Sequence, residues 1–462
     1  MDEWLPGACD YVASWLEFQM RVSGQPGVIA AVLHRDRIVL EKAYGHADQS
    51  AGTRLTPRHR FRIGSHSKSF TAAGILKLRE AGRLRLDDPI GAHVKPLHPQ
   101  VAEATIAQLL SHSAGLVRDG SDASYFQGRR PFPDTAALLA DLRKPPVIEA
   151  STRLKYSNHG FALLGLAIEA ITGEPYRSWI GREIIAAAGL TETGPDMPIP
   201  GEVAFARGHT GDLPLGKRLV IPGDDALGAL APAGGFVSTA ADLARFFAQL
   251  APNAEGSVLS PGSRREMTRR HWRVPHLSIA RHYGLGIMSG DFEGWEWFGH
   301  GGALQGYVSQ TCVVPERELT VSVLTNATDG WAGFWVEGAI HILRAFATRG
   351  APSETVGTWT GRWWAFGGAV DLVPLGDRVL LAHPRLGKPF LDAAEIEVTN
   401  RDEGRIALDT GYGSHGEPVR RVRDAAGAVA EFWLAATKCL PESAVAAELE
   451  ERYGERGAGT AA

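Results

Sequence analysis

Four runs of strand-forming residues lie close together in the second half of the chain: Tyr283 to Met288, Gly294 to Gly299, Tyr307 to Val314 and Leu319 to Thr325. Short turns such as Pro315-Glu316-Arg317 separate them. A parallel pair needs a long crossover, so neighbours this close pair antiparallel, as a meander. Two earlier runs, Val28 to Leu33 and Arg37 to Tyr44, flank the polar turn His34-Arg35-Asp36 and read as two more strands. Around them the apolar spacing is helical. It predicts helices over 8–22, from Ser65 to Gly82, over a Thr105-capped segment ending at Gly115, and from Pro131 to Leu142. Further helices are predicted over Phe161–Ile171, 175–190, 240–250, 256–270 and Trp331–Thr348. Residues 191–230 are rich in Gly and Pro and read as loop, with short strands at most.

The texture changes after a linker at 349–357. Short strand-like runs between Trp359 and Trp433 alternate with Gly, Asp and Asn turns, which predicts a small antiparallel barrel or sandwich over 358–440. A helix at 442–453 and a frayed Gly/Ala tail complete the segment 441–462. Trp359, Trp363 and Trp364 read as core of this second domain.

Charge and cysteine usage narrow the function. A net charge of −4, from 48 basic and 52 acidic residues, argues against a dedicated nucleic-acid binder. Cys9, Cys312 and Cys439 are widely separated and odd in number, which suggests neither a disulfide framework nor a zinc site. The acidic start Met1-Asp2-Glu3-Trp4 lacks the basic-then-apolar pattern of a leader, and no stretch is long and apolar enough to span a bilayer. The expectation is a cytoplasmic protein without metal, cofactor, nucleic-acid or membrane partner, acting on a small molecule or short peptide. A homo-oligomer is allowed for, with its order left open.

Three short motifs carry chemistry. In Phe61-Arg62-Ile63-Gly64-Ser65-His66-Ser67-Lys68, a glycine turn leads into a helix that opens on a hydroxyl. Ser65 and Lys68 are three residues apart and share a helix face. Tyr156-Ser157-Asn158 lies just before an apolar helix, and His300-Gly301-Gly302 is expected at the start of a strand in the meander. Ser-x-x-Lys alone is a weak signal, and its bland reading is a capping serine beside a solvated lysine. Tyr156 could be a buried structural phenol and Asn158 a helix cap.

In this order and spacing, together with Ile106-Ala107-Gln108-Leu109-Leu110-Ser111-His112-Ser113-Ala114-Gly115-Leu116 and Gly234-Gly235-Phe236-Val237-Ser238-Thr239, the motifs resemble the serine β-lactamase and penicillin-recognising superfamily. The resemblance is to the branch holding class C β-lactamases, D-Ala-D-Ala carboxypeptidases, D-aminopeptidases and related esterases, and it covers about residues 1–348. It implies an α/β fold, an antiparallel sheet flanked by helices with an all-helical subdomain at about 89–230. The barrel that follows resembles the lipocalin-like domains attached to some of these peptidases. The implied activity is hydrolysis through an acyl-enzyme at Ser65, on small amides or peptides containing D-amino acids. An esterase for short acyl or aryl esters is the alternative, and a weak β-lactamase or a non-catalytic penicillin-recognising protein a further one.

A serine hydroxyl needs a neighbour to take its proton, and lysine titrates near ~10.4 in water, so Lys68 can serve only if burial lowers that value. Lys68 and Tyr156 are expected to work as a coupled pair, with either one carrying the proton. The resemblance places Asn158 against Lys68 or a substrate carbonyl and makes the Ala303 N–H, just past Gly301 and Gly302, an oxyanion donor beside the Ser65 N–H. His300 departs from the lysine of β-lactamases and carboxypeptidases. Histidine titrates near ~6.5, so the site loses its permanent cation for a substrate carboxylate and suits neutral or amine-terminated substrates, as in D-aminopeptidases and D-amino acid amidases.

Other matches fall away. His209-Thr210-Gly211 imitates the third motif but is followed by loop-like sequence, and Gly411-Tyr412-Gly413-Ser414-His415-Gly416 imitates a dinucleotide fingerprint with no helix after it. There is no Gly-x-Ser-x-Gly elbow, and His271, His276 and His282 lack metal-ligand spacing.

Overall fold

The computed structural model describes residues 2–213, 215–277, 280–365, 367–410 and 413–454. The expected tail at 455–462 and the Gly411-Tyr412 part of the fingerprint-like stretch lie outside the described residues. The chain divides into two compact units: Gly24–Val336, and a second made of Met1–Ser23 with Glu337–Ala462.

The first unit holds a nine-stranded sheet. Its order is Thr53–Arg54, Arg37–Asp48, Gly27–His34, Leu319–Thr325, Tyr307–Val314, Trp295–Leu304, Met288–Phe292, Arg281–Tyr283 and Trp272–Arg273. All neighbours pair antiparallel. The two early strands thus enter the same sheet as the late meander, through Val28 to His34 opposite Thr325 to Leu319. Gly27–His34 and Leu319–Thr325 are buried along their whole lengths, which suits their near-continuous apolar sequences. Both edges are strands of two residues, too short to template pairing with another chain.

The meander differs from expectation in two places. Tyr283 to Met288 is not one strand: Arg281–Tyr283 and Met288–Phe292 are separated by a turn. Gly286 sits in that turn at φ +69°, where a Cβ would meet Ala72 Cβ at 2.7 Å and Lys68 O at 3.0 Å. The chain leaves the sheet there to pack on the Ser65–Lys68 helix, and Ser69 Oγ donates to Gly286 O at 2.7 Å. The next strand runs from Trp295 to Leu304, so His300-Gly301-Gly302 lies inside it rather than at its start.

Between the early and late strands the chain is largely helical. Thr105 caps Ile106–Leu110 with a reciprocal Gln108 contact, and Ser157 caps Asn158–Thr172 by accepting from Gly160 N at 2.9 Å. Asn158 is therefore the first helical residue, not the cap. The helix expected at 175–190 is Tyr176–Ile180 continued by a π-turn at Gly181–Ala186.

The second unit contains eight consecutive antiparallel strands, from Gly361–Ala365 to Thr437–Cys439. Trp364 and Leu440 exchange N–H···O bonds of 2.8 and 2.9 Å, which brings the first strand against the segment after the last and nearly closes a barrel. Trp359, Trp363, Leu372, Ile396 and Phe432 fill its core. The first helix, Leu5–Ser23, falls in this unit: Trp15 Nε1 donates to Leu386 O at 3.1 Å and Tyr11 stacks on Phe390. Its apolar periodicity shows which face is buried but carries no sign of the partner. The segment expected as a linker at 349–357 includes the short helix Glu354–Gly357. Among the described residues no helix is long and apolar enough to cross a membrane.

Candidate active site

Ser65 is the middle residue of a 3-10 turn, Gly64–His66, that feeds the helix Ser67–Glu80. Both residues after it are pinned. His66 Nδ1 lies 3.1 Å from Ser309 Oγ and its Nε2 3.1 Å from Thr311 Oγ1. Ser67 Oγ donates to Gly64 O at 2.6 Å and accepts from Phe236 N at 3.0 Å. Gly64 is at φ +50°, and a Cβ there would lie 2.9 Å from Ala303 N. Only glycine allows the turn to approach the Trp295–Leu304 strand this closely.

Leu304 pairs with Tyr307 across a two-residue loop, so by ladder alternation Ala303–Val308 is a non-hydrogen-bonded pair. The Ala303 N–H therefore faces away from its neighbour strand, toward the serine turn. The Ser65 N–H is an unclaimed first-turn donor. Both N–H groups lie where the serine turn meets the strand.

Lys68 is fully buried. Its Nζ contacts Ser65 Oγ at 3.2 Å, Asn158 Oδ1 at 2.7 Å and Ala233 O at 2.7 Å. Burial holds its ammonium well below the ordinary lysine range; Asp119 pushes the other way and Arg118 adds to the lowering. The Tyr156 phenol faces Ser65, and its ring centroid is 4.7 Å from Lys68 Nζ. Burial raises its pKa above the ordinary phenol value, with Ser65 and Arg118 lowering it. The phenol keeps its proton where the lysine readily sheds one.

His300 is 1% exposed. Its Nδ1 lies 2.6 Å from Gly301 O and its Nε2 2.9 Å from the Tyr283 hydroxyl. A carbonyl only accepts, so Nδ1 carries the hydrogen and Nε2 accepts from the phenol. Burial and nearby His66 push His300 down to about 3, with Lys68 adding to the shift and the Gly301 carbonyl opposing it. The imidazole is neutral at any ordinary pH, and more firmly so than an unperturbed histidine.

Ser65, Tyr156, Asn158, His300, Gly301, Gly302 and Ala303 line a cleft of about 960 Å³, along with Arg118, Asp119, Leu227 and Leu230, and Lys68 is buried behind Ser65 and Asn158. Ser65, Lys68, Tyr156, Asn158, His300, Gly301, Gly302 and Ala303 thus all meet in one place. Sequence reasoning missed Ala233, whose carbonyl holds Lys68, and Asp119, whose Oδ1 accepts from Asn158 Nδ2 at 2.5 Å. It also missed Tyr283. Ala233 immediately precedes a recognised stretch, while no spacing signal links 119 to 158 or 283 to 300. His209 is buried elsewhere, with Nδ1 3.0 Å from Asn326 O, and plays no part here.

The sheet, its helical subdomain and this cleft define a β-lactamase/transpeptidase-like fold. The beta-lactamase family model matches residues 12–335, well over half of the chain, and the chain belongs to that family. Among curated relatives, Protein flp of Staphylococcus aureus (strain N315) is 30% identical over 185 residues, which is 38% of this chain and 36% of that protein. The match thus spans little more than a third of the relative's length. Among solved structures, the octameric penicillin-binding protein homologue from Pyrococcus abyssi superposes with a TM-score of 0.67 at 24% identity, covering 94% of this chain and 99% of that one. The D-stereospecific amidohydrolase from Streptomyces gives a TM-score of 0.58 at 26% identity, covering 72% of this chain and 97% of that one.

Proposed function

We propose that the protein is a serine hydrolase that forms an acyl-enzyme at Ser65 and cleaves small amides or peptides, with a preference for D-configured residues. The observation that carries the chemistry is the triple contact of Lys68 Nζ. In the neutral amine the two N–H bonds go to Asn158 Oδ1 and Ala233 O, the shorter contacts, and the lone pair is left facing the Ser65 hydroxyl at 3.2 Å. Burial lowers the pH at which Lys68 yields its neutral form, and that form accepts the serine proton as Oγ attacks.

Charge developing on the substrate oxygen falls between the Ser65 and Ala303 N–H groups. Tyr156, still protonated, is the donor for the departing amine. In deacylation the same groups take a proton from water and return it to Ser65.

Neutral His300 supports the substrate assignment. A site that offers an uncharged imidazole where carboxylate-binding relatives offer a lysine has little hold on a β-lactam carboxylate, and nitrocefin turnover is expected to be weak or absent. The likeness to a D-stereospecific amidohydrolase points the same way. The test is a panel of D- and L-amino acid p-nitroanilides beside p-nitrophenyl esters, with Ser65→Ala as control. Turnover of D-anilides above their L-counterparts, lost in Ser65→Ala, is expected. Turnover of esters alone overturns the amidase assignment, and unchanged turnover in Ser65→Ala overturns the mechanism.

A further inference from the structure

The groups behind Asn158 form a line. Lys68 Nζ donates to Asn158 Oδ1 at 2.7 Å, Asn158 Nδ2 donates to Asp119 Oδ1 at 2.5 Å, and Asp119 Oδ2 pairs with Arg118 Nε at 3.0 Å. The backbone of the same pair is tied down as well. Asn158 N donates to Arg118 O at 2.9 Å, and the Tyr125 hydroxyl donates to Asp119 O at 2.8 Å.

An amide has an oxygen end and a nitrogen end of nearly equal shape, and only its partners decide which way it points. A carboxylate accepts and does not donate; an ammonium donates and does not accept. An asparagine held between them has one satisfied orientation. We propose that Asp119 is a positioning residue for the hydrolytic reaction: by holding Asn158 Nδ2 it keeps Oδ1 turned to Lys68, and so keeps the third direction of the amine on Ser65. This rests on the assignment of Lys68 as base.

Asp119 also acts through its charge, with Arg118 opposing it. Asp119 raises the Lys68 pKa and Arg118 lowers it. The other titratable groups facing Lys68 are Tyr156, His112 and His300. Burial holds both imidazoles well below the ordinary histidine range and keeps the phenol protonated. The acid limb of the acylation rate therefore belongs to Lys68.

The experiment follows acylation of the full chain by a fluorophosphonate against pH in wild type, Asp119→Ala, Asp119→Asn, Arg118→Gln and Ser65→Ala. Wild-type labelling that vanishes in Ser65→Ala tests the underlying assignment separately. Asp119→Ala is expected to slow acylation about 10- to 100-fold, the scale of a hydrogen bond to a charged group. Asp119→Asn is expected to lose less than Asp119→Ala, because its carbonyl still accepts from Asn158 Nδ2. Both Asp119 variants move the acid limb to lower pH, and Arg118→Gln moves it to higher pH. If Asp119→Ala does not fold, the opposite displacements in Asp119→Asn and Arg118→Gln carry the test. Equal losses in the two Asp119 variants with an unmoved limb, or wild-type rates in both, overturn the proposal while leaving Ser65 as the nucleophile.

Discussion

Replacing Gly302 by alanine tests the close approach of the serine turn to its flanking strand. A Cβ at 302 would lie 1.9 Å from Ile63 O and 2.8 Å from Ser309 Oγ. The first neighbour is backbone, and approaches under 3.0 Å are not tolerated, so strand and turn must part by about 1 Å. Ile63 lies two residues before Ser65 and Gly302 one before Ala303, so the parting opens the gap between the two proposed oxyanion donors. Misplacement by about 1 Å costs roughly 100-fold, and loss of one oxyanion donor roughly 100- to 1000-fold, so a fall in kcat of about 100-fold or more is expected. Overpacking should lower stability by about 1–3 kcal/mol.

Gly299→Ala is the matched control. Its Cβ would clash equally hard, 1.9 Å from Thr311 O, but within the sheet, three residues before Gly302. Steady-state hydrolysis of a p-nitrophenyl ester and urea unfolding, run on both variants, separate the effects. The reasoning predicts similar stability losses with a far larger kcat loss in Gly302→Ala. If kcat in Gly302→Ala stays within threefold of wild type, or falls no further than in Gly299→Ala, the backbone donor at Ala303 is not what the close approach serves.

Burial lowers the Lys68 pKa in the folded state below its unfolded value of ~10.4, so between the two values the unfolded chain binds more protons and stability rises with pH. That contribution is lost as pH falls through the folded value; Lys68→Met, which has no charge to bury, should therefore gain stability over wild type as pH falls, measured by denaturant midpoints at several pH values. In the second unit, Asp371 accepts two bonds from Arg362, at 2.7 and 2.8 Å, and one from the Tyr11 hydroxyl at 3.2 Å. Asp371→Ala strands a largely buried guanidinium, and chemical denaturation of the full chain should show a loss of about 3 kcal/mol.

What could be read from the sequence was local. Ser65 and Lys68 sit on consecutive turns of one segment, so spacing alone puts them on one face. The meander strands are joined by turns too short for any pairing but antiparallel. The glycines at 301 and 302 could be assigned to a site only through resemblance, because the carbonyl that forbids a side chain at 302 belongs to Ile63. The depth of the His300 shift was not legible either, since it comes from burial and His66 rather than from the residue type. The break at Gly284–Ile287 arises from packing on Lys68 and Ala72, far away in sequence. The last barrel strand, Thr437–Cys439, is three residues long and contains a lysine, too little pattern to register.

The membership of the second unit has a consequence for synthesis. Residues 1–23 are made before the 313 residues from Gly24 to Val336, yet the rest of their unit begins at Glu337. At about 5–20 residues per second that interval lasts roughly 15–60 s. Throughout it Trp15 lacks Leu386 and Phe18 lacks Trp364, their partners in the second unit, while the Gly24–Val336 unit is being made and can fold. A nascent-chain holdase would have most to grip on the Leu5–Ser23 helix, and the Gly24–Val336 unit could fold well before the barrel is sealed.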